Sequence, residues 1–159
     1  MGHSKKIDNF MIILKIIMAQ LTAAYSLTMV CCAGAGLIYN GDSYGSKISA
    51  MGAAFIMSGI AMTIGAILCL FRRSIPNFIS LIFSAGGLTV CLIMLNRLCV
   101  HADNAGWHDN VTMLPASDMY MRRLLPTIIP AVLAMIISVI QIRSARNRRG
   151  NRNDSSIFD

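Results

Sequence analysis

Long apolar runs separated by short charged clusters set the pattern of this chain. Between Lys15 and Arg143, four windows are free of Asp, Glu, Lys and Arg. They are Ile16–Gly41 (26 residues), Ile48–Phe71 (24), Ser74–Asn96 (23) and Leu124–Ile142 (19). A bilayer core about 30 Å thick takes roughly 20 apolar residues per helix. The windows are continuously apolar rather than alternating, which favours helices over barrel strands. The fold class expected is therefore all-α: an integral membrane four-helix bundle with spans at about 10–38, 48–71, 76–99 and 124–142. Residues 1–9 form a polar lead. Residues 100–123 form the larger outer loop, between the third and fourth helices, and residues 143–159 a basic, then polar tail expected to lose regular structure beyond Gly150. Four such windows leave no room for a soluble domain within these 159 residues.

Turn residues mark the connections. Asn40, Gly41, Asp42 and Gly45 predict a short loop over 39–47. Ser74-Ile75-Pro76 predicts a tight turn with Pro76 in the first turn of the third helix. Pro126 and Pro130 lie one turn apart and remove two amide donors from the start of the fourth helix. Ala33-Gly34-Ala35 resembles a signal-peptidase site, but the preceding apolar stretch is much longer than the 7–15 residues of a signal peptide, so the first span is expected to be retained.

The charge distribution sets orientation. With the N-terminus inside, ten of the fourteen Lys and Arg residues fall on the inner side: Lys5, Lys6, Lys15, Arg72, Arg73, Arg143, Arg146, Arg148, Arg149 and Arg152. Lys47, Arg97, Arg122 and Arg123 fall outside. This bias predicts both termini in the cytoplasm. It also accounts for the net charge of +7 without nucleic acid; anionic lipid heads are the better partner. The short outer segments favour a bacterial inner membrane.

Small residues recur at helical spacing in the second and third windows. Ala50, Ala54 and Ser58, then Ala61 and Gly65, form one strip; Gly52, Gly59 and Ala66 form another. Ser80, Ser84, Gly86 and Gly87 follow in the third window. In lipid, close approach through small residues drives helix association. Gly52, Ser58, Gly59, Gly65, Gly86 and Gly87 are thus the candidate contact residues, within one chain or between copies.

Candidate chemistry is sparse. The seven acidic residues are all Asp, none within the four windows, and buried carboxylates are the usual mark of proton- or cation-coupled transport. Lys15 and Arg97 are expected to snorkel to headgroups, and Gln20 and Asn96 to bridge helices. The five cysteines lack a CxxC pair and read as small packing residues; the twelve methionines read mostly as gap fillers. The outer loop holds His101, Asp103, His108 and Asp109, the candidates for zinc, though their spacing matches no known motif and Gly106 interrupts any helix joining the histidines. Trp107, Tyr120, Arg122 and Arg123 are expected at the lipid interface. No cofactor and no catalytic constellation emerge. No family resemblance does either: the membrane-embedded Glu of small multidrug exporters and the CxxC of four-span thiol oxidases are both missing. The role expected is a non-catalytic interaction or accessory subunit of a membrane assembly, with another membrane-protein subunit or further copies of the chain as partner. An oligomeric channel or transporter component, and an outer-face enzyme using the His101–Asp109 loop, are the alternatives.

Overall fold

The structure, a computed structural model, describes residues 2–41, 45–71, 74–107 and 115–155. Every regular element among them is helical: α1 (Gly2–Tyr25), a π-helical turn (Ser26–Cys31), α2 (Cys32–Tyr39), α3 (Ser46–Cys69), α4 (Ser74–Asn104) and α5 (Ala116–Ser155). No strand occurs among the described residues. α1, the π turn and α2 run on as one rod. Four stretches are long and apolar enough to cross a membrane: Asn9–Tyr39, Ser46–Cys69, Ile75–Asn104 and Ser117–Arg143. Four helices of this length and apolarity suggest a multi-pass membrane bundle.

The helices outrun the charge-free windows because a charged side chain ends an apolar run but not a helix. α4 passes Arg97 and ends where Gly106 adopts φ +65°. There the Trp107 amide donates to the Ala102 carbonyl and the Gly106 amide to that of Asp103. This is a Schellman cap, with glycine in the left-handed position that carries no Cβ penalty. Likewise α5 contains Pro126 and Pro130 and continues through Gly150 to Ser155, beyond the expected loss of regular structure, since no proline follows to stop it.

The rod of α1 and α2 turns one face inward: Lys15, Ala19, Thr22, Ser26, Val30, Gly34 and Leu37 are buried. From Thr22 to Gly34 these residues recur every fourth position. In an ideal α-helix each such step rotates the face by roughly 40°. The wider π turn over Ser26–Cys31 takes up the excess, so the inward face stays aimed at the bundle.

α3 is the hub. It packs along α4 on one side and against α1, the π turn and α2 on the other. Glycines set the spacing on both sides. A Cβ on Gly52 would stand 2.6 Å from the Gly34 carbonyl oxygen, and a Cβ on Gly34 the same distance from that of Gly52. A Cβ on Gly59 would meet the Ser26 carbonyl at 3.0 Å, and one on Gly87 the Ser58 carbonyl at 2.8 Å. At Gly65 the Ser80 hydroxyl donates across to the glycine carbonyl, at 2.7 Å.

The interior divides along its length. The end that holds Tyr39 and Asn104, here the distal end, is filled by Val30, Leu37, Ile48, Phe55, Leu95, Leu98 and Leu124. The proximal half has a small apolar cluster, Ala19, Ala66 and Cys69, and a buried Ile137. It also buries Lys15, Thr22, Asn77, Ser80, Ser84 and Ser138.

Gly52→Ala is predicted to lower stability by about 1–3 kcal/mol, the cost of overpacking. Gly36→Ala, whose Cβ would meet nothing within 4 Å, is expected to be neutral or stabilising by up to about 1 kcal/mol. Midpoints of SDS-induced unfolding compare the two; equal losses would contradict the close approach of the rod to α3.

Candidate functional site

The most distinctive chemistry lies in the proximal half. Lys15 is 5% exposed and Asn77 4%. The Lys15 amine donates to Asn77 Oδ1 and to Gln141 Oε1, both at 2.9 Å. Each residue comes from a different helix. Lys15 lies on the inward face of α1. Asn77 follows Pro76 in the first turn of α4. Gln141 sits on the side of α5 that turns toward α1. Cys69, buried at the end of α3, lies within electrostatic range of the amine while its thiol donates to the Ala66 carbonyl at 3.1 Å. Three long helices, α1, α4 and α5, therefore meet around one amine.

Lysine was expected to reach outward to headgroups. It turns inward instead because two amide oxygens stand at its own depth, one on each neighbouring helix. An ammonium carries three donors and no acceptor, and two of those donors are engaged. Both engaged partners are amides, not carboxylates. The described aspartates nearest to any span interior, Asp103 and Asp118, lie at the opposite, distal end of the bundle. The arrangement is suited to cross-link helices, and to attract an anion reaching the proximal end.

At the distal end, His101 is half-buried in the last turn of α4 and meets Trp107 edge to face, with ring centroids 5.5 Å apart and an interplanar angle of 86°. Asp103 is exposed. His108 and Asp109 lie outside the described residues. Among the described residues, no three His, Cys, Asp or Glu side chains come together as metal ligands. Trp107 and Tyr120 are half-buried and pack against the distal core. Arg122 is exposed on α5; Arg123 belongs to the same helix, but its side chain lies outside the description.

Of the candidate contact residues, Gly52, Ser58, Gly59, Gly65 and Gly87 are buried between helices. Gly86 faces outward, and a Cβ there would meet nothing within 4 Å. Gln20 and Asn96, expected to bridge helices, are also exposed. All five cysteines are free thiols.

Two features escaped the sequence reading: the inward lysine and the pair of amide acceptors that hold it. A signal was present. Lys15, Asn77 and Gln141 each lie within a few residues of the same end of their apolar windows, so a bundle must bring them to one depth.

Compared with known protein families, curated proteins and solved structures, the chain shows no match.

Lys15→Met is predicted to cost about 1–3 kcal/mol, because two buried amide oxygens lose their donor. The triple replacement Lys15→Met, Asn77→Leu, Gln141→Leu removes the polar groups together and is expected to recover most of that loss, as replacement of a whole buried polar cluster can. Unfolding midpoints of the single and triple variants check this. A triple variant weaker than the sum of its single losses would contradict it.

Proposed function

We propose that the chain is a small polytopic membrane protein with both termini cytoplasmic, acting as a non-catalytic interaction or accessory subunit of a membrane assembly. The ten-to-four distribution of basic residues supports the orientation. The short segments between spans support a bacterial inner membrane. The lipid bilayer is its first partner; a second membrane-protein subunit, or another copy of the chain, is the proposed macromolecular one.

The observation that carries this reading is a groove on the outward surface. It lies between α3 and α4, has a volume of about 250 Å³, and is lined by Met57, Ser58, Ala61, Ile82, Phe83, Gly86, Gly87 and Val90. The buried glycines are already used to close the bundle on itself. Gly86 and Ala61 remain as a small-residue strip directed away from it, and such strips allow the backbone of a neighbouring helix to approach closely. The Gln20 amide, exposed within the first span, is a second group that a partner helix satisfies better than lipid does.

A transport or channel role is the second reading, and the buried amine of Lys15 favours it, since ionisable groups inside membrane spans commonly mark ion or substrate paths. In that case the assembly is a homo-oligomer, because one bundle with an apolar distal half offers no continuous polar lining.

Gly86→Leu fills the groove without meeting the protein's own atoms at Cβ. It is expected to leave the unfolding midpoint unchanged within about 0.5 kcal/mol, as outward substitutions usually do. It is also expected to dissociate the assembly. The mass of the nanodisc-purified complex, wild type against Gly86→Leu, reads the outcome. A discrete homo-oligomer fits both readings, and ion flux from that oligomer in liposomes then separates them. A mass unchanged by Gly86→Leu contradicts a role for the groove.

A further inference from the structure

Helical hydroxyls in this bundle have a consistent habit. Thr22, Thr28, Thr63 and Ser138 each donate to the carbonyl one turn back on their own helix, at 2.7 or 2.8 Å. Two buried hydroxyls make no bond among the described residues: Ser26 Oγ, where the π turn begins, and Thr127 Oγ1. Thr127 lies between Pro126 and Pro130, both inside α5. Pro130 has no amide hydrogen to give the Pro126 carbonyl, and Pro126 none to give that of Arg122. Two backbone bonds are therefore missing within about two turns of α5, and the hydroxyl between them adds none. Bends in helices concentrate at such places.

On the distal side of this joint α5 stands away from its neighbour. α5 packs along α1 and against the π turn, yet draws away from α2, which continues the same rod. The space between is a cleft of about 250 Å³. Its walls include Thr28, Cys32, Gly36 and Asn40 on the rod, and Met119, Tyr120 and Leu124 on α5. All three α5 residues lie on the distal side of Pro126.

The wall on the rod is built for close approach. Gln20, Ala24, Thr28, Cys32, Gly36 and Asn40 recur at every fourth position, and all six are exposed. None carries a bulky apolar side chain, and the π turn in their middle keeps the strip straight, as it does the inward face. A Cβ on Gly36 would meet nothing within 4 Å. Strips of this kind let a neighbouring backbone come close in lipid. Four of the six positions face α5 across the cleft, and α5 is jointed at the point from which it can cross. The proximal half of the seam is fixed, because Lys15 bonds Gln141 there.

We propose that the distal segment of α5, residues 117–125, is a strap that swings at the joint of Pro126 and Pro130 and closes onto the small-residue strip of the rod. Leu124, 1% exposed in the distal core, is its pivot, and Met119 crosses the cleft towards Gly36. The structure shows the open arrangement. Closure removes the cleft and covers Cys32, the one exposed thiol of the five. The seam between the rod and α5 then has a fixed proximal half and a distal half with two positions.

Disulfide trapping on the full-length protein in nanodiscs tests this. Gly36→Cys and Met119→Cys put one thiol on each wall of the cleft. Under mild oxidation the two are expected to form an intramolecular disulfide, identified by peptide mass. In the cross-linked form Cys32 is expected to react with N-ethylmaleimide about tenfold more slowly than in the reduced form, because the strap protects it. Adding Pro126→Ala and Pro130→Ala restores the two backbone bonds and is expected to slow the cross-link about tenfold, as the closed population falls. Introduced thiols that alkylate freely yet never cross-link overturn the proposal. So does a cross-link that forms as fast, or faster, without the prolines. A cross-linked form in which Cys32 still reacts at its reduced-state rate overturns it as well, since the cleft has then not closed.

Discussion

The interaction on which the proximal half of this bundle depends is the one between a lysine amine and two amide oxygens. A charged or polar group carried into an apolar interior is costly unless it is hydrogen-bonded. Lys15 meets that demand only if α4 brings Asn77, and α5 brings Gln141, to its own depth. The requirement fixes the axial register of three helices against one another, which apolar contacts alone leave loose. Small residues lie close to the bonded groups along their helices: Ala19 one turn from Lys15, and Ser138 one turn from Gln141.

Distance between helices is set by a different device. Apolar surface gains little from association inside a membrane, where the surroundings are equally apolar, so contact must come from close approach. α3 supplies it with glycine on both sides, meeting the Gly34 carbonyl through Gly52 and the Ser80 hydroxyl through its own carbonyl at Gly65. The rod of α1 and α2 must then keep one face towards α3 over its whole length. Its inward residues repeat every fourth position through the middle, and the π turn is the backbone's answer to that spacing. That same turn leaves Ser26 with a hydroxyl it does not spend on its own helix. Register, spacing and the irregularity of α1 are thus linked through a single inward stripe from Lys15 to Leu37.

Much of the fold was legible in the sequence. Four charge-free windows became four long helices, because hydrocarbon-compatible segments must satisfy their backbones internally. Gly106 ended a helix as its conformational freedom suggested. Most of the small-residue positions became interhelix contacts. The differences share a cause. Depth alone places Lys15 at the headgroups, and polarity alone places Gln20 and Asn96 in interhelix bridges. Depth and polarity do not say which way a side chain turns; that depends on acceptors contributed by other helices. The π turn was written in the four-residue spacing from Thr22 to Gly34, but only as a pattern of burial, which the sequence does not print. The biochemical role was the least legible part. The surviving clues, a small-residue groove facing outward and an amine facing inward, are features of surface and register rather than of motif.

Amine acylation of the folded protein measures directly the direction in which Lys15 points. The purified protein is treated briefly with a small N-hydroxysuccinimide ester, and modification at Lys15 and Lys47 is read by mass spectrometry before and after unfolding. Lys47 is exposed in the first turn of α3 and serves as the internal control. Burial of the amine between Asn77 and Gln141 predicts that Lys47 is modified rapidly and that Lys15 is protected until the bundle unfolds. Modification of Lys15 at the rate of Lys47 in the folded protein would contradict it: the amine would then reach outward, and the register of α1, α4 and α5 would need another cause.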